Sequence, residues 1–582
     1  MLAWSWRKYP DILVDFGREL YIPWQISCGQ VLYRDLAHLF GPLSSYFNAL
    51  LFKIFGISYT VIILSNIITL SFFLTGLYIL LSKISSRLAA YTSCAVVIFV
   101  FAFSQYVFIG NYNFISPYSH EAIHGIILSL FLIVQFYKFI IKRSKYHLIS
   151  AGLIFGFIFL TKIEVLFSAV ASTCFFFLLF AKNEKKFFAT VKSIGVFLIA
   201  ALVPITGFLI YFGTAMPVHD AVKAILQWNI LFNRSITNNQ FYLKGMGFDN
   251  IFENLMTMCF HSLVALSTIS IVYVLNYYYI KYKDKIQVRC LCAICFAAII
   301  GMAFYVNPYT VGRSLPLLSF LTFLFLLIYY LKLSTKDKVE LQQLTPLLLW
   351  SVLSICLLLK IILNCRIFHY GFYLTLPSFV LLIVMLIWFL PKWIDKRFSG
   401  GYVFRNVMFM IIIVIAGHCV WISNKFYKMK SFSIGRGSDR IVTFHPKIDS
   451  RGYLMNEAVG WLRSNVDHKE TFIVLPEGVM LNYLTKHTNP TRFTNFMIPE
   501  MVLFKEDVIL AEFIKYSPDY FILVDKDTSE YGVKYFGQNF NYGKKIMIWI
   551  NEHYDPVCLF GNEPLRDGQF GIKILKKRKD GN

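Results

Sequence analysis

The sequence predicts a polytopic α-helical membrane protein with a C-terminal extracytoplasmic α/β domain, and three observations support that fold class. Of its 582 residues, 57% are hydrophobic and only 15% charged, whereas soluble domains run near a quarter charged. From residue 59 onward, apolar runs follow one another, about a dozen of them, most near the roughly 20 residues a helix needs to cross a bilayer. Beyond residue 422 those runs stop, and polar sequence with short buried-strand patterns replaces them.

Taken in order, residues 1–58 hold no predicted span and read as a first outward loop mixing acids, aromatics and turn residues. Predicted spans follow at 59–82, 89–109, 121–141, 148–161, 163–181, 190–212, 254–280, 287–305, 315–332, 344–363, 373–390 and 405–421. The 148–161 run is short, which implies a helix that is tilted, re-entrant or buried among its neighbours. The connections alternate in charge. One set carries Lys142, Arg143 and Lys145, then Lys182, Lys185 and Lys186, then Lys281, Lys283, Lys285 and Arg289, then Lys392, Lys396 and Arg397. The other set is poor in cations, with Arg313 alone in 306–314 and Arg366 alone in 364–372. Cytoplasmic loops are the basic ones, so residues 1–58, the 213–253 loop and the tail face outward, as expected for a bacterial inner-membrane protein. An even number of spans with an outward start calls for a further helix ahead of Met1, so the reading favours a truncated start.

In the tail, Thr471–Pro476 and Tyr520–Asp525 read as buried strands bounded by turn residues, with helices at 453–465 and 505–515 around them. That pattern predicts a small α/β domain. The step from Trp421 to the polar run Ser431–Arg440 sets the boundary, giving divisions at 1–58, 59–421 and 422–582. The net charge of +23 sits in short loops between apolar runs, which excludes nucleic acid as the partner. Most of the eleven cysteines lie inside apolar runs, Cys290, Cys292 and Cys295 among them, and read as small buried thiols. Cys28, Cys365 and Cys558 give no disulfide framework.

Candidate chemistry gathers in the outward segments. Asp15, Arg18 and Glu19 stand in the first, whose bland reading is an amphipathic interfacial loop. Asp15-Phe16-Gly17 matches a kinase metal motif, but nothing kinase-like surrounds it. In the second, His120, Glu121 and His124 cluster at a helix start, with the two histidines on one face. His120-Glu121-Ala122-Ile123-His124 has the spacing of a zinc-binding pair, and Glu121 also suits a helix N-terminus. Lys162, Arg313 and Arg366, with His369 and Tyr370 beside the last, lie at outward span ends. A lipid phosphate needs such cations, although snorkelling is their bland alternative.

These residues together resemble the GT-C glycosyltransferases, the class of the protein O-mannosyltransferases and the aminoarabinose transferase of lipid A. The resemblance rests on Asp15 in Val14-Asp15-Phe16-Gly17-Arg18-Glu19-Leu20-Tyr21, on Ser119-His120-Glu121, and on Gly152 and Gly156 in a run ending Leu160-Thr161-Lys162. In the tail, Leu475–Leu484 and Thr528–Gly532 are similar to the extracytoplasmic domain of a bacterial branch. The resemblance implies a catalytic Asp15 in the first outward loop and a second acid, Glu121, in the next. It also implies a polyprenyl-phosphate sugar as donor, and a glycan, lipid or protein acceptor among the membrane lipids. Members begin with a spanning helix that this chain does not show.

On this reading Asp15 is the general base of an inverting displacement, and Lys162, Arg313 and Arg366 hold the departing phosphate. Glu121, with His120 and His124, orients the acceptor or holds a divalent metal ion, a choice left open. The tail is expected to bind the acceptor or act as a lid. A transporter or flippase of a polyisoprenoid-linked sugar is the rival, and would place ionisable groups near mid-span. A scaffold that anchors the tail is a third reading.

Overall fold

Helix starts follow local capping chemistry. Ser58 Oγ accepts the Val61 N–H at 3.3 Å ahead of Tyr59–Ile84, and Asn250 accepts the Glu253 N–H at 3.4 Å ahead of Ile251–Lys281, each satisfying an amide that would otherwise lack a partner. The computed structural model describes residues 1–184, 187–227, 235, 238–334, 337–540 and 542–578. Among them, ten helices are long and apolar enough to cross a membrane.

Each span expected from the sequence falls on a helix, though two of these helices are too short to count among the ten. Residues 89–109 supply Arg87–Ala102, and 148–161 supply Lys145–Phe159. The first stops early because polar side chains take up the backbone beyond it. The Gln105 N–H donates to Ser423 Oγ at 3.1 Å, and its amide donates to Val107 O and Phe108 O, so the chain continues as a buried loop. Lys145–Phe159 is short but tightly held. A Cβ at Gly152 would lie 2.3 Å from Phe197 O, and one at Gly156 2.2 Å from Ala201 O. Bare glycines therefore let this helix lie backbone to backbone against Phe187–Gly213.

The basic connections meet at one end of the bundle, where Arg143 pairs with Glu184 and Lys392 with Glu340 at 3.0 Å. Alternate connections meet at the other. There the Gly41 N–H donates to Thr161 O at 2.9 Å, Leu363 N–H to Met246 O at 3.0 Å, and Asn239 Nδ2 to Tyr531 O at 3.2 Å. Residues 1–58 belong to this end. Their helix Phe16–Ser27 is buried from Phe16 to Ile26, so the segment is interior structure rather than an interfacial loop.

The last apolar helix, Gly401–Lys428, runs beyond Trp421 and leads directly into the tail. Strands β1 (Lys430–Ile434) and β2 (Ile441–Phe444) form an antiparallel pair. A four-stranded sheet follows in the order β3-β4-β6-β5, from Phe472–Leu475, Tyr520–Val524, Gly571–Lys577 and Tyr554–Gly561. The strands β3 and β4 are the two expected, and they pair in parallel. Alternation along them divides the core. Ile473, Leu475, Phe521 and Leu523 pack with Ile509, Phe513 and Ile546, whereas Phe472, Val474, Ile522 and Val524 join the core that continues into the helical bundle.

Candidate active site

Asp15 sits at the centre of a tight turn. Its φ of 57° and ψ of −49°, with the Phe16 N–H donating to Val14 O at 2.6 Å, describe a γ-turn of the rare, strained hand. Such strain persists only when the surroundings over-determine it, and here they do. Asn111 accepts the Asp11 N–H at 2.7 Å and donates to Val14 O. Asp11 Oδ1 accepts the Leu13 and Val14 N–H groups at 2.9 and 3.0 Å. From the tail, Glu477 Oε1 accepts the Asp15 N–H at 2.9 Å.

The Asp15 side chain, 28% exposed, faces a cavity of about 430 Å³. Residues 14–18 and 39–40, the 107–118 loop, the helix Gln240–Met246, residues 366–370 and the tail all contribute to its wall. Arg18 sits between three acids, 3.6 Å from Asp15, 3.8 Å from Glu19 and 3.6 Å from Glu500. Lys526 pairs with Glu477 at 3.1 Å. Burial pushes the Asp15 carboxyl up to about 7; Arg18 opposes that rise, and Glu477 and Glu500 add to it. Glu500 is raised too, chiefly by burial. Lys526 is held above its ordinary value by Glu477 in spite of its burial. Arg366 reaches the cavity without an acidic partner among the described residues, lying 3.5 Å from His369 Nδ1 and over the Phe368 ring. Burial, with Arg366 next, holds His369 well below its ordinary value and keeps it neutral. Aromatic rings cover another part of the wall, with Phe241 and Tyr531 stacked at 4.4 Å.

A second chamber of about 250 Å³ shares Phe40, Tyr118, Tyr242 and Tyr370 with the first. Lys162, Glu164 and Lys360 supply its charges. Lys162 Nζ donates to Tyr118 OH at 2.6 Å and stands over the Phe40 ring at 4.3 Å. Glu164 takes Lys360 at 2.7 Å and a hydrogen bond from Tyr373 OH at 2.6 Å. The rest of the lining, including Leu39, Ile163, Met246 and Leu503, is apolar.

The structure thus brings Asp15, Arg18, Arg366, His369 and Tyr370 to one cavity and Lys162 to the chamber beside it. Glu19 lies underneath, where its carboxylate accepts the His120 N–H at 3.0 Å and contacts His120 Nδ1 at 2.6 Å. Arg313 lines neither chamber. It donates to Leu363 O at 2.8 Å and Asn254 Oδ1 at 3.2 Å, bracing the segment that carries Arg366. His120, Glu121 and His124 are buried behind the wall, and each engages a different partner. His120 Nε2 meets Asn66 at 3.0 Å, Glu121 takes Ser119 Oγ at 2.7 Å and His38 Nε2 at 3.3 Å, and His124 Nδ1 meets Ser44 Oγ at 2.9 Å. Among the described residues, no group of three or more His, Cys, Asp or Glu side chains is placed to hold a metal ion.

Glu477, Glu500, Lys526 and Glu530 line the main cavity from the tail, and Glu164 and Lys360 line the second chamber. Sequence reasoning gave none of them a role, although Glu477 and Glu530 fall in the stretches Leu475–Leu484 and Thr528–Gly532 that carry the resemblance. One available signal was strand polarity. Glu477 and Lys526 follow the carboxyl ends of the parallel strands β3 and β4, which is where open α/β sheets place ligands.

No family model matches the chain, and no curated protein matches it. Among solved structures it is similar to the Archaeoglobus fulgidus oligosaccharyltransferase in complex with Zn and sulfate, at 13% identity and a TM-score of 0.47, covering 89% of this chain and 65% of that one. The chain therefore spans just under two thirds of that enzyme. The same oligosaccharyltransferase, tethered by a disulfide to an acceptor peptide containing the NVT sequon, is similar at 13% identity and a TM-score of 0.42, with 97% and 70% covered. ArnT from Cupriavidus metallidurans bound to undecaprenyl phosphate is similar at 10% identity and a TM-score of 0.41, with 98% and 96% covered. None of these scores reaches 0.5, so none assigns a residue, a ligand or an activity to this chain.

Proposed function

We propose that the chain is a glycosyltransferase that moves a sugar from a polyprenyl-phosphate donor to an envelope acceptor, inverting the anomeric centre, at the outer face of a bacterial inner membrane. The observation that carries this reading is Asp15, a carboxylate fixed in a strained turn and raised to near neutral pH, facing a cavity joined to an apolar chamber. A general base works best when its pKa lies near the working pH. Asp15 takes the proton from an acceptor hydroxyl as that oxygen attacks the anomeric carbon. The bond from that carbon to the phosphate oxygen breaks, and its electron pair leaves with the phosphate.

Arg366 supports the reading as a cavity cation with no ion pair among the described residues, available to the departing phosphate. Lys162 and Lys360 line the chamber whose apolar wall suits an isoprenoid chain. Phe241 and Tyr531 offer rings for a sugar face. Glu121 acts from behind the wall as a positioning residue, through His38 and the 37–40 segment. Arg313 acts likewise through the 363–366 segment, and the tail completes the acceptor side. The outward placement of this end follows from the basic connections at the other.

The test compares lipid extracts from cells with the intact gene, without it, and with Asp15→Asn, read by mass spectrometry. A polyprenyl-phosphate sugar that accumulates in both altered strains, with loss of one glycoconjugate, supports the transferase. If Asp15→Asn matches the wild type in both the donor and the glycoconjugate, the transferase reading is wrong and the flippase replaces it.

A further inference from the structure

At the end of the bundle that carries the basic connections, a separate cavity of about 330 Å³ opens between the last turns of His120–Lys142 and Ile163–Glu184 and the first turns of Lys338–Leu358. Its lining changes with depth. At the helix ends it presents Arg143, Asn183 and Lys338; further in it presents Ile140, Leu179 and Phe176. From Asn183 down to Phe176 the helix descends about 10 Å, at roughly 1.5 Å per residue. The floor is closed by Phe136, stacked on Phe176 at 4.0 Å. Thr345, two turns into its helix, spends its hydroxyl on Leu341 O at 2.8 Å and so leaves the depth without a free donor there.

The charge at the mouth is positive. Arg143 pairs with Glu184 and lies over the Phe180 ring. Lys338 has no acidic partner among the described residues, and Lys142 and Lys182 stand on the same helix ends.

We propose that this cavity binds one anionic phospholipid, its phosphate against Lys338 and Arg143 and an acyl chain running down over Leu179 and Phe176. A soluble anion has no use for the apolar depth. A zwitterionic headgroup gains less from an unanswered lysine, because a cation near an anionic lipid surface gains on the order of 1 kcal/mol. The site is separate from Asp15 and stands or falls independently of the transferase reading.

The experiment reconstitutes the full chain in phosphatidylcholine nanodiscs carrying increasing phosphatidylglycerol, and counts retained lipids by native mass spectrometry. The wild type is expected to retain one phosphatidylglycerol about fivefold in preference to phosphatidylcholine. Lys338→Glu, at an exposed position, is expected to abolish that preference. Leu179→Phe, which narrows the depth, is expected to weaken retention while leaving the charge in place. Equal retention of the two lipids by the wild type overturns the proposal, as does an unchanged preference in Lys338→Glu. Displacement of the lipid by millimolar glycerol 3-phosphate also overturns it, because the site would then take a free phosphate rather than a lipid.

Discussion

A carboxylate that must accept a proton near pH 7 has to lose its proton near pH 7, and Asp15 reaches that range because burial and two neighbouring acids outweigh Arg18. The ionised form is the active base, so transfer is expected to rise with pH through about 7 and level off above it. Glu477→Gln removes one of the negative charges that raise Asp15 while keeping an oxygen to accept the Asp15 N–H. The carboxyl then ionises at lower pH, and the rising limb moves down. Initial rates of transfer across the pH range, measured for both proteins, check the direction. Asp15→Asn is expected to lower the rate by about 10²–10⁴-fold, the usual contribution of a positioned general base, with unchanged expression. Asp15 stood out through the resemblance carried by Val14–Tyr21, which implies an acid in the first outward loop. Glu477 did not, because in the sequence it is one acid among many in a polar tail.

Among the elements, the closest approaches are made by glycines. A Cβ at Gly17 would fall 2.5 Å from Met480 N, so the buried helix Phe16–Ser27 and the tail helix Met480–Thr485 touch through bare backbone. Gly17→Ala is expected to cost about 1–3 kcal/mol by overpacking and to displace Glu477 from Asp15. Gly152→Val, in the Lys145–Phe159 helix, is expected to destabilise to a similar degree without touching the Asp15 turn. Thermal unfolding in detergent, followed by tryptophan fluorescence, should show lower midpoints for both. Only Gly17→Ala should also shift the pH limb of transfer. The spanning helices were plain in the sequence, since each is a long apolar run, whereas the buried helix Phe16–Ser27 lay in a segment that reads as a loop. The loss of helix after Ala102 was not plain either, because it depends on Ser423, more than three hundred residues away.

Over the whole molecule, the helical bundle and the tail share one core. The inner face of the sheet joins the cluster that includes Tyr9, Phe16 and Tyr427. An ion pair reinforces the join, with Arg451 Nη2 3.3 Å from Asp11 Oδ2 and 2.7 Å from Asp449 Oδ2. Asp11 is nearly buried and organises the residues leading into the Asp15 turn. Arg451→Met leaves that carboxylate buried without its cation, a change that costs about 3–5 kcal/mol when the pair is buried. Hydrogen exchange of the amides of residues 11–18 is expected to accelerate together with that of β3. Unchanged exchange at both places would mean that the apolar contacts alone hold the tail in register.

By itself the sequence determined the apolar helices, the end of the bundle where the cations lie and the strands β3 and β4, because these follow from runs, charge counts and alternation along short stretches of chain. Tertiary structure decided which charges meet. It drew Glu477, Glu500 and Lys526 from the tail to Asp15 and turned Arg313 towards Leu363. It also placed His120, Glu121 and His124 behind the wall. Electrostatic pairing acts over a few ångströms in space, and Glu477 lies 462 positions from Asp15, so the charge pattern along the chain did not show that they meet.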